Sequence, residues 1–146
     1  PMSAPSIASM QIDVPELGTA VGGNHGDFSL NGQVIDYKRR PPGIASNRGV
    51  FCIRVRGESM APRFEEGDLI FVDPNRPTKG GDDVLVEMKP QRAGEPGNAY
   101  IKRLVSKTPT KIILRQFNPA DAKVELQAEK VLRVSYILTL ADLVGV

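Results

Sequence analysis

The chain has 146 residues, 40% of them hydrophobic and 25% charged, which suits one globular domain with its own core. A net charge of +2, aromatics at only 5% and the absence of Trp argue against a dedicated nucleic-acid stripe or a base-stacking platform. With Cys52 alone there is no intrachain disulfide, no Cys/His cluster has metal-ligand spacing, and no apolar run is long enough to span a membrane, so no metal, cofactor or membrane is expected, and a reducing cytoplasm is the natural setting.

Residues 1–13 are rich in Ser, Ala and Pro and read as a linker or tail, and residues 14–146 read as the folded domain. Pro15-Glu16-Leu17-Gly18-Thr19-Ala20-Val21-Gly22-Gly23 is an extended run of small residues ending in a Gly pair, and Asn24 and Gly26 continue it as a loop. Residues 28–37 alternate loosely around Asn31-Gly32, a hairpin-type dipeptide. Lys38-Arg39-Arg40 beside Pro41-Pro42 reads as a solvated turn. From Val50 onward, strands are predicted at 51–55, 69–72, 84–88, 100–105, 112–117 and 131–140, separated by Pro-, Gly- and Asn-rich turns. Within the first of these, Cys52 reads as a small buried hydrophobe. Thr139 and Asp142 have the spacing of a capping box for a last short turn. Helical periodicity is weak throughout, so the fold class is mainly β, with short strands wrapped into a compact sheet assembly.

The most informative stretch is Val55-Arg56-Gly57-Glu58-Ser59-Met60-Ala61-Pro62-Arg63-Phe64, followed by Gly67-Asp68-Leu69-Ile70-Phe71-Val72. It reads as strand, tight turn, strand, with a serine on the turn. A serine held there is either an ordinary turn residue bonded to its own backbone or a nucleophile awaiting a base. The only histidine, His25, lies far upstream in the Gly-rich loop, which leaves poor material for a Ser-His-Asp triad. Glu58 reads as a solvent-facing turn residue, and the acidic turn Phe64-Glu65-Glu66-Gly67-Asp68 lacks the repeating spacing of a calcium loop.

Ala99-Tyr100-Ile101-Lys102-Arg103-Leu104 supplies another base. On a strand, Tyr100, Lys102 and Leu104 share one face, while Ile101 and Arg103 share the other. Free lysine titrates near ~10.4 and is a poor base at neutral pH, but an apolar, water-poor site disfavours its ammonium form. Lys102 is therefore either a solvated surface lysine or the base that activates Ser59.

In order along the chain, Gly57-x-Ser59-Met60-x-Pro62, Phe64-x-x-Gly67-Asp68-Leu69-Ile70-x-Val72 and Tyr100-Ile101-Lys102-Arg103-Leu104 resemble the C-terminal domain of LexA-like and phage CI-like repressors, the S24 serine peptidases. Upstream, Val14-Pro15-x-Leu17-Gly18 extends the resemblance, and downstream it runs through Asn118-Pro119 to the end. It implies the compact, mostly antiparallel β fold shared with signal peptidases. It also implies a Ser59–Lys102 dyad, with the backbone N–H groups of Ser59 and Met60 as oxyanion donors, that cuts the chain's own hinge. The bond aligned with the family's cleavage point is Gly22-Gly23, or Val21-Gly22 if the loop is one residue shorter; the usual Ala-Gly or Cys-Gly pair is missing from this segment. Implied partners are a second copy of the chain, a RecA–single-stranded-DNA filament as the trigger in an SOS or DNA-damage response, and operator DNA through a helix-turn-helix domain of which these residues show no pattern. The rival readings are a dimerisation and effector-sensing module that does not cleave, a UmuD-like polymerase accessory subunit, and a signal-peptidase-like protease acting on other chains.

Overall fold

Short runs of β-branched and aliphatic residues, punctuated by Gly, Pro and Asn, leave little for helices to build on, and the computed structural model is accordingly almost all strand. It describes residues 10–21 and 28–146. The strands are β1 (Ile12–Val21), β2 (Phe28–Arg39), β3 (Phe51–Arg54), β4 (Leu69–Asp73), β5 (Asp83–Met88), β6 (Asn98–Lys107), β7 (Lys111–Arg115), β8 (Lys123–Gln127) and β9 (Val131–Ile137), with a closing helix α1 (Leu140–Val144). They form one sheet in the order β2-β1-β3-β4-β9-β5-β6-β7-β8, and the first two residues of β2 also pair with β6. An edge strand that touches a strand deep in the order means that the sheet curls back on itself. Pairing is antiparallel except where Glu16 of β1 meets Cys52 of β3, so the fold is mainly β as the sequence indicates.

Alternation along the strands divides the interior into three clusters. Phe28, Ile53, Val55, Met60, Leu85, Ala99 and Ile101 belong to one, Val14, Val50, Cys52 and Tyr136 to a second, and Val84, Val86, Leu104, Ile112 and Leu114 to a third. Each large aliphatic or aromatic side chain buried in this way contributes about 1.5–3 kcal/mol. Cys52 is wholly buried, and its Sγ faces the Pro15 carbonyl at 3.6 Å. Burial, with the Glu16 carboxylate adding to it, pushes the thiol up to about 12. Cys52 should therefore resist iodoacetamide in the folded chain at pH 8 and react promptly in 6 M guanidinium; equal rates in both would overturn this environment.

Several elements differ from the sequence expectation. Asn31-Gly32 does not turn the chain: β2 runs straight through it, and the true hairpin is β1–β2. The register jumps from Leu17↔Val34 to Thr19↔Leu30, so Asn31-Gly32-Gln33 forms a bulge, with Gly32 at φ 74 and Asn31 Oδ1 accepting the Gln33 N–H. Residues 10–13, read as tail, are built in: Met10 is buried, β1 starts at Ile12, and Arg39 donates to the Met10 carbonyl. Lys38-Arg39-Arg40 is a clamp rather than a solvated turn, because Arg40 bonds Asp13 and the carbonyls of Ile44 and Asn47, while Lys38 approaches Glu16. β8 escaped the sequence reading because only Val124 and Leu126 mark its alternation. The strand expected over 131–140 stops at Ile137, and the capping box of Thr139 and Asp142 then starts α1.

Asp142 also locks that helix to the sheet. It accepts from Tyr136 Oη at 2.7 Å, from the Thr139 N–H at 2.9 Å and from Arg76 at 3.1 Å. Partial burial pushes its carboxyl up, but these hydrogen bonds outweigh that and hold it down at about 2. A lowered carboxylate stabilises the fold above its unfolded value near 3.8, and that contribution disappears as pH falls through about 2. Asp142→Asn should cost about 1 kcal/mol at pH 7 after solvent screening, and the deficit should shrink in urea titrations as the pH drops from 5 to 2.

Candidate active site

The turn between β3 and β4 is shaped by its own backbone. Gly57 takes φ 79 and Gly67 φ 91, conformations that suit glycine, and Val55 closes the base by bonding both Asp68 and Gly67. Within the turn, Ala61 N–H donates to the Glu58 carbonyl and Phe64 N–H to the Met60 carbonyl, with a cis Ala61-Pro62 bond between them. Met60 is 2% exposed and anchors the turn in the first cluster, so the serine before it has little freedom. Glu58 faces solvent, as its place in the turn suggests, while Glu66 accepts the Gly57 N–H at 3.4 Å.

A second segment grips the turn from outside. The N–H groups of Phe117 and Asn118 both donate to the Ser59 carbonyl at 2.9 Å, and Asn118 Nδ2 reaches the Glu58 carbonyl at 3.3 Å. These residues follow β7, and Gln116 steadies them by donating to the Asn118 carbonyl. No local motif announced this role; Asn118-Pro119 looked only like a turn.

Lys102 sits in the middle of β6, opposite Val84 of β5. Strand alternation divides its neighbours as expected: Ile101 joins the first cluster, and Tyr100 and Leu104 join the third. Arg103 is turned to Asp83, pairing with it at 2.9 Å. Lys102 is 1% exposed, so it is not a surface lysine, and its Nζ donates to Ser59 Oγ at 2.8 Å. The two side chains singled out in the sequence are therefore in direct contact, a primary amine and a hydroxyl at a distance that permits proton transfer. Among the described residues, the Ser59 and Met60 N–H groups donate to no backbone carbonyl.

The paired ends of β1 and β2 meet the strand that carries Lys102. Val21 ends β1 and pairs with Phe28, the first residue of β2, and Phe28 pairs in turn with Ala99 of β6. At roughly 3.4 Å per strand residue, Ala99 lies about 10 Å along β6 from Lys102. Thr19 of β1 accepts from Arg56 Nε at 3.0 Å, which ties the same hairpin to the entry of the Ser59 turn. Gly22, Gly23 and His25 lie outside the described residues. Among the described residues, no group of three or more His, Cys, Asp and Glu side chains is placed to hold a metal ion, and no helix is long and apolar enough to cross a membrane.

Comparison with known proteins agrees with this architecture. The chain is 37% identical over 127 residues to "Repressor protein C" of Rhizobium phage 16-3, which covers 86% of this chain and 48% of that protein. It is 38% identical over 69 residues to "Prophage repressor CohE" of Escherichia coli strain K12, covering 47% of this chain and 28% of that protein. The chain thus spans about half the length, or less, of these curated relatives. The Peptidase S24-like family matches residues 15–135, nearly all of the sheet described above, and the chain belongs to that family.

Proposed function

We propose that this chain is the C-terminal regulatory domain of a phage- or prophage-type transcriptional repressor and that it acts as an intramolecular serine peptidase on its own hinge. The observation that carries this reading is the 2.8 Å contact of Lys102 Nζ with Ser59 Oγ at a lysine that is 1% exposed. Burial favours the uncharged amine, the form a base must have. Ser59 Oγ attacks the scissile carbonyl while Lys102 takes its proton. The N–H groups of Ser59 and Met60 hold the oxyanion, the C–N bond breaks, and Lys102 returns the proton to the leaving amine. Water activated by the again-neutral Lys102 then releases the acyl group from Ser59.

The scissile bond is Gly22-Gly23 or Val21-Gly22, in the segment joining two residues that pair with each other, one of them beside β6. Tethering at both ends makes the step unimolecular and compensates for a segment whose glycines anchor no side chain. The repressor reading is supported by the names of the two relatives. Domain 14–146 would serve as the dimerising half in a bacterial or phage-infected cytoplasm, with a helix-turn-helix domain beyond this chain contacting operator DNA. Cutting between them uncouples two linked half-site contacts and lowers operator affinity. A RecA–single-stranded-DNA filament is the proposed trigger, which would make the switch part of an SOS response to DNA damage.

Incubation at pH 7 and pH 10, with and without RecA filament, followed by intact-mass measurement, tests the proposal. The expected result is a pair of fragments from a cut after Val21 or Gly22, forming faster at pH 10. An intact chain under all four conditions would instead support a non-cleaving dimerisation and effector-sensing domain. That second reading is favoured by the missing Ala-Gly or Cys-Gly pair in residues 15–23.

A further inference from the structure

The two segments that carry Ser59 and Lys102 are joined a second time, away from the contact between those side chains. Asp83 opens β5 and is 7% exposed. Its cross-strand partner is Arg103, whose Nε donates to Oδ1 at 2.9 Å and whose Nη2 donates to Oδ2 at 3.3 Å. The same carboxylate accepts from Arg63 Nε at 3.0 Å, and Arg63 belongs to the turn that begins at Ser59. One buried carboxylate thus holds a guanidinium from the serine's turn and another from the residue next to Lys102. The contacts close into a ring, because the Arg103 guanidinium lies 4.8 Å over the Phe117 ring and the Phe117 N–H donates to the Ser59 carbonyl.

The chemistry gives this ring a purpose. Proton transfer needs Oγ and Nζ within about 2.6–3.2 Å, and a drift of roughly 1 Å can cost about 10²-fold in rate. Met60 and the Ser59 carbonyl are fixed by the core and by residues 117–118, Phe64 packs on the first cluster, and Arg63 between them is the turn's charged tie to the strands beneath. The fork of Arg103 fixes the carboxylate, so the tie is directional. The geometry points to Asp83 as a positioning residue that acts through Arg63 and Arg103 to hold Ser59 in register with Lys102. This role rests on the dyad proposed above.

The test uses two readouts on the full chain, self-cleavage at pH 10 and labelling of Ser59 by a small fluorophosphonate, which needs the dyad but no docked segment. Arg63→Ala should slow both by about 10-fold or more. Its melting temperature should stay close to the parent value, because the Arg63 side chain is 43% exposed. Arg63→Lys keeps a cation within reach of Asp83 and should recover most of the loss, and Asp83→Asn should slow both reactions further than Arg63→Ala. Labelling of Arg63→Ala at the parent rate, or a loss that Arg63→Lys does not recover, would overturn the role of Asp83 while leaving the dyad standing. A parent chain inert in both assays would sink the dyad, and the bridge with it.

Discussion

On the proposed mechanism, Ser59→Ala is expected to remove the cut within residues 21–23 altogether, and Lys102→Ala to slow it by about 10²–10⁴-fold, the range usual for loss of a general base. The two changes differ because they remove different things. Without Oγ no acyl intermediate can form. Without the amine, Oγ and its oxyanion donors remain, and hydroxide at high pH can replace the base in part. Lys102→Ala should therefore keep a residual rate that climbs with pH without levelling, whereas the parent rate levels once the amine is neutral. Time courses by intact mass from pH 6 to 10.5 separate these outcomes. Equal cleavage in parent and Ser59→Ala chains would remove the serine from the mechanism.

Lys102→Met is expected to move stability in the opposite direction from activity. Lys102 is among the largest fully buried side chains of the molecule, and holding an amine there costs desolvation that a thioether of similar length avoids. The variant should gain about 1–2 kcal/mol, seen as a higher urea midpoint with an unchanged slope, while self-cleavage falls as in Lys102→Ala. A lowered midpoint would mean that the buried amine stabilises the site rather than straining it.

Local reasons made both side chains at the centre of these predictions candidates, and the ordered resemblance to the S24 peptidases paired them. Gly57 and Gly67 flank a turn between two β-branched runs, and alternation along residues 100–104 separates Lys102 from Arg103. The strands from 51 to 137 other than β8 were legible in the same way, through dense Val, Ile, Leu and Phe. What was not legible depends on pairing. Asn31-Gly32 is equally good chemistry for a hairpin and for a bulge, and only the match of β2 to β1 decides between them. The grip of Phe117 and Asn118 on Ser59 and the bridge from Arg63 through Asp83 to Arg103 join residues far apart in sequence, through groups with no motif of their own.

The pairing of β1 changes what a cut after Val21 or Gly22 would accomplish. β1 is zipped to β2 from Ile12 to Val21 and meets β3 at Cys52; it buries Val14 in one cluster and rests Leu17 on another. Breaking the covalent link leaves all of these contacts in place, so the immediate product is a nicked sheet and not two separated pieces. Whatever precedes Ile12 stays attached until the strand peels away, so separation of the two fragments would keep two clocks, one for the bond and one for the strand. Cys52, sealed beneath Pro15 and Glu16, reads the second clock: mass reports the nick, and the arrival of a reactive thiol reports the departure of the strand.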